Sequence, residues 1–247
     1  MISLYQGEMA EIYDIMYQSF INYNEEYIFY KKILDQYNCH NTLEIGAGTG
    51  HLANQFILDN FNYIGLDYSS DMLNKAKKRC PKAKFINADM RSFNLEKRLD
   101  SIIMTGRTSS YIITNKDFKQ TLTSIHSNLK PKQYLIFDFI DANRYLPYIL
   151  KNKNIEHKAN HNNKKYTRIG NWHPTDLDNF LLKWEANYYD ETTTPRKLIQ
   201  YDTSIVRIFT KEEISLHLQL NNFKIIEFID RKTYAYDTFV VIAQKIT

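Results

Sequence analysis

Apolar and polar positions change rhythm three times along the chain. Between residues 8 and 35, Ile12, Ile15, Met16, Phe20, Ile28, Ile33 and Leu34 recur at mixed helical spacing, so this stretch reads as helical. From residue 40 to 140, short apolar runs alternate with helical stretches. NTLEIG, NYIGLDYS, AKFINAD, LDSIIMTG and QYLIFDFI read as strands. Between them, TGHLANQFILDN carries Leu52, Phe56 and Ile57 on one helical face. DMLNKAKKRC follows Ser70 as its cap and stops before Pro81. Thr114 and Asp117 form a capping box for a helix reaching about Asn128, and Pro131 marks the turn out of it. QYLIFDFI is apolar without alternation, as expected of a strand covered on both faces. This succession predicts a doubly wound, mostly parallel α/β sheet.

After residue 150 the helical rhythm gives way. KKYTRIGNW, FLLKWEANYYDE and KLIQYDTSIVRIF are aromatic and β-branched runs broken by polar turns, and they predict antiparallel strands. They are too few for a separate domain, so they read as an insertion after the fifth strand. Thr210 and Glu213 form a second capping box, for KEEISLHLQLN, and FKIIEFID and DTFVVIAQK supply two last strands. The expected organisation is one domain with a Rossmann-like seven-stranded sheet. Its parts are an N-terminal helical lid over 1–38, a core over 40–140, an antiparallel insertion over 150–209, and a final helix and strands over 210–247.

Composition narrows this picture only a little. The chain has 247 residues with 43% apolar content, enough to bury a large core. Lys and Arg number 32 against 28 Asp and Glu, without a dense basic block, so a nucleic-acid partner is not expected. Two isolated cysteines, Cys39 and Cys80, give neither metal spacing nor a disulfide framework. A reduced compartment fits, and no bound metal is expected. The N-terminus reads as too acidic for a signal peptide, and no run approaches a membrane span. A soluble cytoplasmic protein, monomeric or homodimeric, with no membrane partner, is the expectation.

Candidate chemistry begins at LEIGAGTGHL, Leu43 to Leu52. Three of the seven glycines, Gly46, Gly48 and Gly50, stand there after a strand and before a helix. A nucleotide-type ligand lies against the backbone at such a strand end. A dinucleotide fingerprint needs a small residue where this chain has His51, and a P-loop needs lysine after Gly50. Both are excluded. The pattern is an acid, Glu44, followed by G-x-G-x-G, with Asp67 and Asp89 closing the next two strands.

These motifs resemble class I S-adenosylmethionine-dependent methyltransferases. The resemblance covers residues 40–140, and the final two strands by topology. It implies S-adenosyl-L-methionine as cofactor and S-adenosyl-L-homocysteine as product. It places Gly46, Ala47, Gly48 and Gly50 against the methionine and ribose, and Asp67 on the ribose hydroxyls. Asp89 would meet the adenine amino group, flanked by Met90. Glu44, Tyr68, Met72, Arg91 and Thr105 complete the expected cofactor side.

The acceptor side is less legible. IIMTGRTSSYI has no proline, so it lacks the Asn/Asp-Pro-Pro-aromatic motif of DNA adenine methyltransferases, which disfavours base-amine methylation. Arg107 reads either as a clamp for an acceptor carboxylate or phosphate or as half of a surface ion pair. The segment EIYDIMYQSFINYNEEY resembles the start of nucleotide-linked amino-sugar N-methyltransferases of the desosamine and mycaminose pathways. There a Tyr-Asp-x-x-Tyr segment lies over the cofactor, which implies a lid carrying Tyr13 and Tyr17; a packing stripe is the alternative. Trp172 and Trp184 read as an acceptor wall or as the core of the small sheet, and His173 as a base or a packing residue. Tyr13, Arg107, Tyr111 and His173 are the expected catalytic residues. The expected function is methyl transfer to nitrogen or oxygen of a small-molecule acceptor. A protein or RNA methyltransferase and a non-catalytic cofactor-binding protein are the alternatives.

Overall fold

The computed structural model describes residues 5, 9–231 and 238–246. The parts of the expected lid at 1–4 and 6–8, and residue 247, lie outside the described residues. The N-terminal helical stretch consists of two helices, α1 (Met9–Gln18) and α2 (Tyr23–Gln36). Asn22 breaks the run because its side chain accepts from the backbone N–H groups of Asn24 and Glu25, capping α2 afresh.

The core follows as β1 (Asn41–Ile45), α3 (His51–Leu58), β2 (Asn62–Asp67), α4 (Ser70–Arg79), β3 (Lys84–Asn87) and β4 (Leu99–Met104). A short 3₁₀ turn, Thr108–Tyr111, leads to α5 (Asn115–Asn128) and β5 (Leu129–Ile140). Ser69, not Ser70, caps α4, its hydroxyl accepting from Met72 N. Thr114 caps α5 through Asp117 N, as the capping box predicts.

The seven strands run in the order β3-β2-β1-β4-β5-β11-β10, where β10 is Phe223–Asp230 and β11 is Thr238–Lys245. β1 to β5 pair in parallel, while β11 lies antiparallel to β5 and to β10. The chain winds outward from β1 to β3, then crosses back to β4 on the other flank. Adjacent connections therefore leave the β1 and β4 carboxyl ends in opposite directions and open a crevice there.

Strand alternation splits the core into two layers. Ile102, Leu135, Phe137 and Val241 pack with Phe118 and Leu122 of α5 and with Ile214 and Leu218 of α7 (Lys211–Leu220). Ile103, Ile136, Val240 and Ile242 pack with Tyr30, Leu34 and Phe56 on the opposite face. Each such buried side chain contributes roughly 1.5–3 kcal/mol relative to exposure. This two-sided burial is why the β4 and β5 sequences do not alternate.

The insertion is a four-stranded antiparallel sheet, β6 (Ile155–His161), β7 (Lys164–Asp176), β8 (Leu181–Asp190) and β9 (Lys197–Arg207). It is reached through α6 (Ala142–Lys151), a helix the apolar rhythm did not reveal. Its two ends are stitched together on β5. Phe209 N donates to Ile140 O at 2.9 Å, and Ala142 N to Phe209 O at 2.8 Å. The sheet is thereby held over the same carboxyl edge as the crevice. Among the described residues, no helix is long and apolar enough to cross a membrane.

Candidate active site

The turn after β1 is built from glycine for more than one reason. Gly46, Gly48 and Gly50 all have positive φ, between 53° and 77°. A Cβ on Gly46 would stand 2.2 Å from Thr108 Oγ1, and one on Gly50 would stand 2.9 Å from Ala76 Cβ of α4. At Gly50 the absent side chain lets α3 pack closely on α4. Gly48 differs, because the closest atom to a Cβ there is Gly46 O at 3.9 Å. Its face is open. Asp67 ties the turn down, accepting from Gly48 N and Ser69 N, each at 2.8 Å. Burial pushes the Asp67 carboxyl above its ordinary value, against the pull of those two N–H groups.

A cavity of about 940 Å³ lies over this turn. Gly46, Ala47 and Gly48 floor it, with Asp67, Tyr68 and Met72 on one side. Asp89, Met90 and Arg91 close that end. Asp89 and Arg91 form a bidentate pair, and Arg91 also reaches Asp117 Oδ1 at 3.0 Å. The Arg91 hydrogen bonds hold the Asp89 carboxyl below its ordinary value. Glu44 and Thr105 line the cavity beside the turn, where Thr105 Oγ1 donates to Glu44 Oε1 at 2.8 Å and the Tyr63 hydroxyl to Glu44 Oε2. Burial lifts the Glu44 carboxyl to about 7 in spite of both donors.

The N-terminal helix covers the cavity and is latched to the glycine turn. Asp14 of α1 accepts from Thr49 Oγ1 at 2.5 Å, lies 2.8 Å from His51 Nε2, and pairs with Arg79 Nη2 at 2.7 Å. Burial opposes ionisation of Asp14, yet the bonds from His51, Arg79 and Thr49 hold its carboxyl well below the ordinary range. Tyr23 stacks on His51 with ring centroids 3.8 Å apart. Sequence reasoning missed this latch, although Asp14 stands inside the quoted Tyr-Asp-x-x-Tyr segment. Tyr13 and Tyr17 stack at 3.9 Å and line the cavity from the same helix.

The far half of the cavity is the acceptor side by position. Arg107 sits at φ 65°, its N–H donating to Asp138 Oδ1 at 2.9 Å, and its guanidinium lies 5.9 Å from the Tyr145 ring. Tyr111 follows on the 3₁₀ turn, its hydroxyl paired with that of Tyr5. Trp172 and Trp184 face each other across β7 and β8 with ring centroids 4.7 Å apart, and both line the cavity. They serve the small sheet's packing and the wall together. His173 does not join them. Neighbouring residues of a strand point to opposite faces. With Trp172 turned inward, His173 is 49% exposed at its side chain and lies 3.3 Å from Glu185. Of the four expected catalytic residues, Tyr13, Arg107 and Tyr111 line the cavity. Arg168 lines it as well and drew no attention in the sequence.

The residues present fit an adenosine-bearing cofactor. Gly48 offers an open backbone face, Asp67 an acceptor for hydroxyls beside it, and Met72, Ala88, Met90 and Ile112 an apolar slot beyond. Comparison with known proteins points to a methyltransferase. A family model described as a methyltransferase domain matches residues 38–195. A dTDP-3-amino-3,4,6-trideoxy-alpha-D-glucopyranose N,N-dimethyltransferase of Streptomyces venezuelae is 24% identical over 134 residues, covering 52% of this chain and 55% of that protein. The chain thus spans about half the length of that relative. A glycine/sarcosine N-methyltransferase of Aphanothece halophytica is 23% identical over 198 residues, 76% of this chain and 72% of that protein. The fold is similar to that of CalS10 with S-adenosylmethionine bound, an amino pentose methyltransferase from Micromonospora echinaspora. The TM-score is 0.79 at 15% identity, over 95% of this chain and 96% of that one. Because the family match spans the glycine turn, both strand-end carboxylates and most of the insertion, the chain belongs to the methyltransferase-domain family.

Proposed function

We propose that this protein transfers a methyl group from S-adenosylmethionine to a small-molecule amine or hydroxyl, with the amino group of a nucleotide-linked amino sugar as the favoured acceptor. One observation carries the reading. A single cavity runs from the Asp67 and Asp89 carboxylates, past Thr105, to the aromatic wall of Trp172 and Trp184. Cofactor side and acceptor side therefore share one enclosure under a latched helix. The relatives named for amino-sugar and glycine N-methylation support a small amine acceptor.

When bound, the cofactor supplies a methyl group already activated by its sulfonium. The chain's own residues hold the partners in line and exclude water, and such positioning supplies much of the rate. On this reading Asp67 would hold the ribose hydroxyls, Gly48 would admit close backbone approach, and Met72 and Met90 would border the adenine. Asp89, held by Arg91, would accept from the adenine amino group. Burial pushes the Tyr13 and Tyr111 phenols above their ordinary values. Both stay protonated at neutral pH and orient the acceptor by hydrogen bonding; neither is a phenolate base. Arg107 faces the acceptor from the end of β4.

A thermal-shift screen with S-adenosylhomocysteine present tests the acceptor class, using sugar nucleotides, amino acids and small amines. The proposal expects one of these to raise the melting temperature further. A shift produced only by RNA or by a protein would refute the small-molecule reading.

A further inference from the structure

Alternation along β7 turns Tyr166, Arg168, Gly170 and Trp172 to one face of the insertion. Across the register Arg168 lies between His157 of β6 and Tyr188 of β8, and Gly170 lies opposite Ala186. Gly170 leaves room for the Trp184 ring, which lies where a Cβ would otherwise stand (1.9 Å away). The indole thus spreads over the glycine and comes within 5.3 Å of the Arg168 guanidinium. From the lid, the rings of Tyr17 and Phe20 approach the same group at 5.2 and 5.5 Å.

Arg168 is only 5% exposed, and it lines the cavity. Its Nη2 lies 3.0 Å from His157 Nδ1. Arginine has no lone pair to offer, so His157 accepts through Nδ1 and carries its proton on Nε2. Burial and the charges of Arg168 and Arg107 push that imidazole down to about 4. A neutral histidine does not offset the guanidinium charge. The Arg168 Nε is buried without a hydrogen-bond partner, and no carboxylate among the described residues lies within 4.0 Å of the group. The ion pairs of the other buried arginines make the contrast. Arg207 pairs with Glu213, and Arg231 with Glu26. A buried cation without a counter-charge is costly. Aromatic faces offset part of that cost. A ligand anion entering the cavity would offset the rest.

We propose that Arg168 is the receptor for an anionic group, carboxylate or phosphate, carried by the methyl acceptor. A planar guanidinium bordering the cavity suits either oxyanion. This rests on the small-molecule methyltransferase reading above and adds a requirement to it: the acceptor carries both its nucleophile and an anion. Asp202 lines the same cavity from β9 and pairs in register with Ala186, one step along the sheet from the Arg168 row.

The test is calorimetric titration of the S-adenosylhomocysteine-loaded protein with uridine diphosphate in one arm and glycine in the other. Saturable binding of either probe to the wild type is expected, with at least a tenfold loss in Arg168→Gln. Binding of S-adenosylhomocysteine itself should change less than threefold in that variant. Binding of uridine diphosphate assigns a phosphate, and binding of glycine assigns a carboxylate. Where Arg168→Gln fails to fold, Arg168→Lys carries the test, with a smaller loss for both anions because the planar fork is gone. Failure of both probes to bind the loaded wild type, or unchanged affinity in the folded variants, overturns the proposal. Failure of S-adenosylhomocysteine to bind at all would instead overturn the methyltransferase reading beneath it.

Discussion

His51 Nε2 stands 2.8 Å from Asp14 Oδ1, joining the covering helix α1 to the first residue of the helix that follows the glycine turn. Arg79 completes the junction from α4, bonding Asp14 Oδ2 and Thr49 O. The lid is thus fixed by a charged node that also touches the cofactor turn. Asp14→Ala should remove about 1–3 kcal/mol of stability, as expected when partly buried donors lose a charged acceptor. It should also weaken S-adenosylmethionine binding at least tenfold. Urea denaturation and calorimetry check the two effects; unchanged cofactor affinity would separate the latch from the site. The Asp14 carboxyl is depressed in the folded state, so its contribution is full above the unfolded value near pH 4 and is lost on further acidification.

The three glycines should divide by phenotype. Gly46→Ala and Gly50→Ala combine a left-handed backbone with a methyl group driven into Thr108 and Ala76, so both should lower stability by roughly 2–5 kcal/mol. Gly48→Ala has space around it, so its cost is the left-handed backbone alone, about 1–2 kcal/mol. It should nevertheless lose cofactor affinity out of proportion to its stability, because the new methyl projects into the cavity. Melting temperatures set beside calorimetric affinities distinguish the classes. Equal ratios for all three variants would contradict this assignment.

Glu44 sets an alkaline-side dependence. Its folded-state value is raised from 4.5 to about 7. Between those values the folded protein holds a proton that the unfolded chain has released, so Glu44 costs stability as pH rises through that window. The full cost is roughly 3 kcal/mol at 1.36 kcal/mol per unit. Glu44→Gln should therefore gain on the ligand-free wild type in going from pH 5 to pH 8. Denaturation curves for both proteins at the two pH values measure the change, and a constant difference would rule out a strained carboxylate.

His157 works in the opposite sense. Its imidazole is lowered from 6.5 to about 4 by burial beside Arg168. Below pH 6.5 the unfolded chain takes up a proton that the folded protein refuses, so stability drains away as pH falls from 6.5 toward 4. His157→Gln should flatten that slope by on the order of 1 kcal/mol after allowance for solvent screening. Melting temperature against pH for the two proteins is the measurement. Parallel curves would mean that His157 titrates normally.

The sheet was legible because its signals are local. Continuous apolar runs marked β4 and β5, and hydroxyl caps such as Thr114 marked helix starts. The break between α1 and α2 was missed because Asn22 acts through its own side chain inside an otherwise periodic segment. α6 was missed because its residues lie between two strand-rich regions and contain Pro147. In the site, Asp67 and Asp89 were visible through their order at strand ends. Arg168 was not, because its meaning depends on cross-strand register with His157 and on lid rings about 150 residues earlier in the chain. His173 had the right neighbours in sequence but stands on the outer face of its strand, which only its exposure and its pairing with Glu185 reveal.

The central claim is that the strand-end carboxylates and the open glycine face together hold S-adenosylmethionine. Calorimetric titration of the wild type and Asp67→Ala with S-adenosylmethionine tests it most directly. The account predicts saturable one-to-one binding to the wild type and at least a hundredfold loss, about 2.7 kcal/mol, in the variant. Absence of saturable binding to the wild type, or equal affinity in a folded Asp67→Ala, would contradict it.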